Sequence, residues 1–175
     1  MKSKLNIPCH NWGGAFIHDG FNAYSDGLFA KRHLVRELDV KTYRQVEVQI
    51  EAAADLCPGL FAEFSRAGLT TGVIKLDTEG YEKAILESVA PLLPADFSIV
   101  IVFENWDPDL ALDQLRARFD RPVTAFLLAR RPRQRGALWR DLPFMMPLGG
   151  MRFTLDPIAG RPCDGDIVLI VEAKG

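Results

Sequence analysis

The sequence predicts an α/β domain, on three observations. Residues 73–76 form a short, mostly apolar run, Val73-Ile74-Lys75-Leu76, that stops on Asp77. Residues 98–103, SIVIVF, form a second apolar run that stops on Glu104. Between them Tyr81, Ile85, Val89 and Leu92 recur at helical spacing. Strand, helix and strand in this order make a βαβ unit, whose crossover is almost always right-handed. The two strands are then parallel, with an acidic residue at each carboxyl end. Open α/β sheets bind their ligands along that edge, so Asp77 and Glu104 are the first candidates for a site. The whole sheet is expected to be mostly parallel, with helices packed on it.

The other elements follow in order. Residues 1–27 read as turn-rich, because Asn11-Trp12-Gly13-Gly14 and Asp19-Gly20 break any regular pattern, with a short strand at 15–17. Residues 28–40 fit either a short helix or an irregular strand. Residues 43–50 alternate, with Val46, Val48 and Ile50 on one face and Glu47 and Gln49 on the other, which is strand patterning. Residues 51–68 are helical in composition, with Pro58 starting a second helix over 59–67 that Gly68 closes.

In the helix after residue 76, Asp77 or Thr78 supplies the N-cap. Glu79 and Glu82 fall in the first turn, where negative charge suits the helix dipole, and Pro91 and Pro94 end the helix. Gly80 stands out there, since glycine inside a helix costs about 1 kcal/mol against alanine. It points to a close approach of backbone or ligand. Further on, Asp107 or Asp109 caps a helix running to about residue 119, and strands are expected at 123–129, 151–155 and 166–172. No repeat, linker or low-complexity tract interrupts the chain, so residues 1–175 read as a single domain.

The totals narrow the function. The 175 residues are 48% hydrophobic, enough for one core. A net charge of −2 gives no global attraction to nucleic acid or to an anionic membrane. Arg130, Arg131, Arg133, Arg135 and Arg140 read as a solvated loop or as a contact for a phosphate or carboxylate. They lack the interleaved aromatics of a nucleic-acid surface. Cys9, Cys57 and Cys163 have no paired spacing, so neither a disulfide framework nor a zinc site is indicated, and a cytoplasmic setting is expected. No apolar leader and no long apolar run predict a signal peptide or a membrane span. Neither G-x-S-x-G nor a Walker A pattern occurs.

The segment VIKLDTEGYEKAIL resembles the I-K-[IL]-D-x-E-G-x-E-x-x-[VI]-L signature of FkbM-type methyltransferases, which use S-adenosylmethionine. The likeness lies on Ile74, Lys75, Leu76, Asp77, Glu79, Gly80, Glu82, Ile85 and Leu86, with Thr78 where the family usually has Val. Weaker likeness lies at residues 11–14 and in the closing GDIVLIVEA. The resemblance implies a Rossmann-like class I methyltransferase sheet and methyl transfer to a hydroxyl oxygen of a sugar, polyketide or similar small molecule. It also implies that Asp77 lies near the reacting centre, as a general base or as the group that orients the acceptor hydroxyl. From spacing alone, a helix cap explains Asp77 equally well.

The family's cofactor turn, resembling D-x-G-x-x-x-G after a first strand, is not found in residues 1–70, so no cofactor-binding residue is assigned. The resemblance covers the later half of the family's domain, and the chain reads as a partial domain lacking the N-terminal cofactor-binding strands. Such a half leaves a strand edge to be covered by the first forty residues, by a second copy or by a missing-half partner. A non-catalytic interaction module that keeps the motif as structure is the alternative.

The remaining candidates are substrate-binding. Asn11 and His18 border the Gly-Gly turn, where the backbone permits close approach, although a surface connection is the simpler reading. Glu104 can line the same cleft as Asp77. Glu79 forms a D-x-E pattern with Asp77, and hard oxygen ligands suit a divalent cation. Dipole compensation explains both glutamates without one, and no metal is expected.

Overall fold

A computed structural model of the chain describes residues 2–8, 15–17, 43–105, 110–132, 151–158 and 165–174. These form two sheets. Strands β1 (Lys2–Pro8), β2 (Phe16–Ile17) and β3 (Tyr43–Gln49) make a small antiparallel sheet in the order β2-β1-β3. Strands β4 (Thr71–Leu76), β5 (Ser98–Asn105), β6 (Val123–Pro132), β7 (Met151–Pro157) and β8 (Gly165–Val171) make the main sheet, in the order β4-β5-β8-β6-β7. The described helices are α1 (Ala53–Arg66), α2 (Glu82–Val89), which runs into a 3-10 turn at Ala90–Leu92, and α3 (Leu112–Ala117).

The βαβ unit is present: β4 and β5 are parallel, with Val73 opposite Val100, and α2 crosses between them. The main sheet is mixed rather than mostly parallel. Only β4 and β5 form a parallel pair among the described residues, because β8 inserts antiparallel between β5 and β6, and β7 returns antiparallel on β6. The fold is α/β and compatible with a Rossmann-like arrangement.

Alternation along β5 decides where the core lies. Ile99, Ile101, Phe103 and Asn105 are buried while the intervening residues are half-buried. Ile99, Ile101 and Phe103 meet Phe61 of α1, Leu86 and Val89 of α2 and Leu115 of α3 in one cluster, completed by Ile167, Leu169 and Val171 of β8. The helices therefore cover one face of the sheet. Phe61 and Phe97 meet edge to face, with centroids 5.9 Å apart at 75°, the arrangement their ring quadrupoles favour. On the other face Val73 is 71% exposed and Phe153 64%.

Helix α1 runs unbroken through Pro58, where a fresh start was expected. The proline removes one backbone donor, but Phe61 buries into the core one turn later and fixes the helix. Gly68 does close it, at φ +71. Its N–H reaches the Ser65 carbonyl at 3.0 Å, and the Leu69 N–H reaches that of Phe64 at 2.9 Å. That pair of bonds is a Schellman ending, and it delivers the chain into β4.

Residues 2–8 form a strand where a turn-rich segment was expected. β1 pairs with β3 along its full length. Lys2 bonds Glu47 at 2.7 Å, and Gln45 donates to the buried Asn6 side chain at 2.9 Å. This small sheet does not extend β4. Among the described residues no strand pairs with the outer edge of β4. β6 extends to Pro132, so Arg130 and Arg131 lie in a strand rather than a loop. Arg133, Arg135, Arg140 and residues 28–40 lie outside the described residues.

Candidate active site

The turn from β4 into α2 is built around Glu82. Its side chain is buried, at 5% exposure. One carboxylate oxygen accepts the Thr78 N–H at 2.7 Å and the Thr78 hydroxyl at 3.1 Å; the other accepts the Gly80 N–H at 2.8 Å. A buried carboxylate is tolerated only when its lone pairs are occupied in this way. The turn needs two residues at positive φ, Glu79 at 50° and Gly80 at 103°. Glycine reaches such a conformation without a Cβ penalty, which explains Gly80 better than a helical position does.

Several sequence expectations change here. The helix begins at Glu82, and its N-cap is Tyr81, with no side-chain cap bond. Neither Asp77 nor Thr78 caps it, and Glu79 lies before the helix rather than in its first turn. The reason is that Glu82 takes the turn's amide donors for itself.

Asp77, relieved of capping, accepts a hydrogen bond from the Lys75 ammonium at 2.5 Å. It also lines a cleft of about 580 Å³ at the carboxyl end of β4. Leu5, Phe16 and Ile17 of the small sheet form one wall, and Leu56 of α1 with Tyr81, the N-cap of α2, and Ile85 of α2 form the other. Polar groups are few: Glu51, Asp77, Thr78, Tyr81 and Ser88 join the lining, and the Ser88 hydroxyl is spent on the Ile85 carbonyl at 2.8 Å. The size falls within the ~300–1,000 Å³ typical of small-molecule sites.

A second feature flanks the cleft. The β4–β5 register pairs Leu76 with Phe103; carried one residue further, it sets Asp77 beside Glu104. Glu104 in turn pairs with Asp166 across β5 and β8. Burial pushes the Glu104 carboxyl up from its ordinary value, and the charges of Asp166, Asp77 and Glu82 push the same way while Lys75 opposes them. Lys75 is held above its ordinary value by its hydrogen bond and charge contact with Asp77, with Asp166 and Glu104 adding to this.

Of the sequence candidates, the structure places Asp77 on the cleft wall and Glu104 next to it on the sheet, outside that wall. Glu79 is half-buried in the turn and outside the cleft wall. Asn11 and His18 lie outside the described residues. The contributions of Leu5, Glu51 and Leu56 were missed. Apolar patterning was the only signal for Leu5 and Leu56, and it does not say which sheet will face which helix; Glu51 carried none.

Among the described residues no three His, Cys, Asp or Glu side chains converge on a metal position. The fit to S-adenosylmethionine is poor among the same residues. No glycine-rich turn leads from a strand into a helix except that of Thr78 and Gly80, and Glu82 already occupies those amides. No helix among the described residues is long and apolar enough to cross a membrane. Comparison with family models, curated proteins and solved structures finds no match.

Proposed function

We propose that the chain is the acceptor side of an S-adenosylmethionine-dependent O-methyltransferase of the FkbM type, acting on a small molecule in a cytoplasmic setting. The observation that supports it is the place of Asp77: at the carboxyl end of a parallel strand, free of capping, and open to a cleft. A hydroxyl bound in the cleft donates to the Asp77 carboxylate, which orients it and accepts its proton. Holding the acceptor in one pose carries most of the rate in such a reaction. Lys75 sets the direction of the carboxylate through their hydrogen bond. S-adenosylmethionine supplies the methyl group when bound. Since the described residues do not form its turn, the chemistry derived from this chain stays with the acceptor.

The test is methyl transfer from labelled S-adenosylmethionine to a panel of hydroxyl compounds, with Asp77→Ala as the comparison. The wild type is expected to label an acceptor and the variant to lose transfer while keeping its circular dichroism. Equal activity in both removes the reading.

One observation favours a second reading. Glu82 satisfies the motif's own turn from within the chain, so the motif can persist as structure in a non-catalytic module. The edge of β4 that no strand pairs among the described residues, with Val73 and Leu69 exposed beside it, then serves a second copy or another chain. That reading predicts self-association and no S-adenosylmethionine binding at millimolar ligand.

A further inference from the structure

We infer that the cleft beside Asp77 takes an uncharged molecule with an apolar body and a hydroxyl group, an alcohol of the fatty or aryl class, rather than a free sugar or a carboxylate. The inference rests on the proposed function for which atom reacts, and on the cleft alone for binding.

Two helices and the small sheet supply apolar walls, with Leu5, Phe16, Ile17, Leu56 and Ile85 facing inward. Burying an apolar body against them is favourable in proportion to the area removed from water. A free sugar brings many hydroxyls to those walls, and each one without a partner opposes binding. The charged groups of the lining are both acidic, Glu51 and Asp77, and no Lys, Arg or His is among the described lining residues. A ligand carboxylate or phosphate therefore meets like charge, which rejects it. A hydroxyl, by contrast, is a donor, and the Asp77 carboxylate is an acceptor only. Lys75 already occupies one side of that carboxylate, at 2.5 Å, and a carboxylate keeps further lone pairs for a second donor.

The experiment is calorimetry of the full chain with 1-decanol, decanoate and glucose, with no S-adenosylmethionine present. Decanol is expected to bind and decanoate to bind at least about tenfold more weakly, with no heat from glucose. Two variants locate the site. Ala84 lies exposed on α2 and lines the cleft, so Ala84→Trp fills it from outside the core. It is expected to weaken decanol by about tenfold or more with an unchanged thermal midpoint. Asp77→Asn is expected to narrow the gap between decanol and decanoate.

Decanoate or glucose binding as tightly as decanol overturns the inference, as does undiminished decanol binding in Ala84→Trp. Decanol binding without any methyl transfer leaves this inference standing and removes the proposed function. Methyl transfer to glucose with no decanol binding does the reverse.

Discussion

Glu104 on β5 stands directly opposite Asp166 on β8, in a register that runs unbroken from Ile99 with Val171 to Asn105 with Gly165. Like charges directly opposite each other destabilise an antiparallel pair. Asp77 extends the row by one strand, so three carboxylates line the edge of the sheet where β4 and β5 end. Lys75, exposed on the edge strand and bonded to Asp77, is the cation that offsets them.

The pH dependence follows from Glu104. Burial, then the neighbouring carboxylates, raise its carboxyl above the ordinary value. Between the ordinary and the raised midpoint the folded chain binds more protons than the unfolded chain. Stability is therefore full at the acid side and falls as pH rises through that window. Glu104→Gln removes this loss. Its stability is expected to exceed the wild type's by roughly 0.2–1 kcal/mol at neutral pH and to match it below about pH 4. Urea unfolding at both pH values checks it, and an equal gain at both would remove the explanation.

Lys75 gives a separate prediction. It is one of the charges acting on Glu104, and it acts downward. Lys75→Gln is expected to raise the Glu104 midpoint further, read by carbon-13 NMR of the side-chain carboxyl. A fall, or no change, would show that Lys75 does not couple to the row. The side chain is exposed, so the fold should not depend on it, and the circular dichroism should be unchanged.

The clamp made by Glu82 is testable through stability. Glu82→Ala strands the Thr78 and Gly80 donors in a part-buried turn. The expected cost is about 2–3 kcal/mol, seen as a lower urea midpoint with an unchanged slope. Because the turn carries Asp77 into the cleft, the same variant is expected to weaken decanol binding. A stable Glu82→Ala protein would mean that water replaces the carboxylate.

Much of this was legible in the sequence, and the reasons for the rest are physical. The βαβ unit showed itself because β4 and β5 are apolar runs that stop on acids with a helical stripe between them. β1 was hidden because Lys2, Ser3 and Lys4 dilute its alternation. It is a strand by virtue of β3, whose Glu47 and Gln45 bond Lys2 and Asn6, and such pairing is invisible along one segment. Pro58 misled because the local rule that proline opens a helix yields when the helix on both sides of it packs on a core. The places of Asp77 and Glu104 were read from their positions after strands, but the pairing of Glu104 with Asp166 was not. The two are brought together only by the insertion of β8 beside β5, and strand order leaves no mark in a local pattern. Glu82 was read as dipole compensation, because a carboxylate that folds back on its own turn has the same spacing as one that faces solvent.

Arg121 offers a final test, one that separates the stability of the sheet from the chemistry of the cleft. Its guanidinium donates to three carbonyls of the turn between α2 and β5: Leu93 at 2.8 Å, Pro94 at 2.9 Å and Phe97 at 3.2 Å. Its Nε reaches Phe119 at 3.3 Å. A planar fork of donors fits such a cluster, and an ammonium does not. Arg121→Ala is expected to cost about 2–3 kcal/mol, and Arg121→Lys to recover less than half of that. The knot sits before the start of β5, at the amino end of the parallel pair, while Asp77 and the cleft lie at the carboxyl end of β4. Decanol binding below the unfolding midpoint should therefore be unchanged in both variants. A parallel loss of binding would mean that the two ends of the sheet are coupled, and that the cleft depends on the whole crossover rather than on the turn that Glu82 holds.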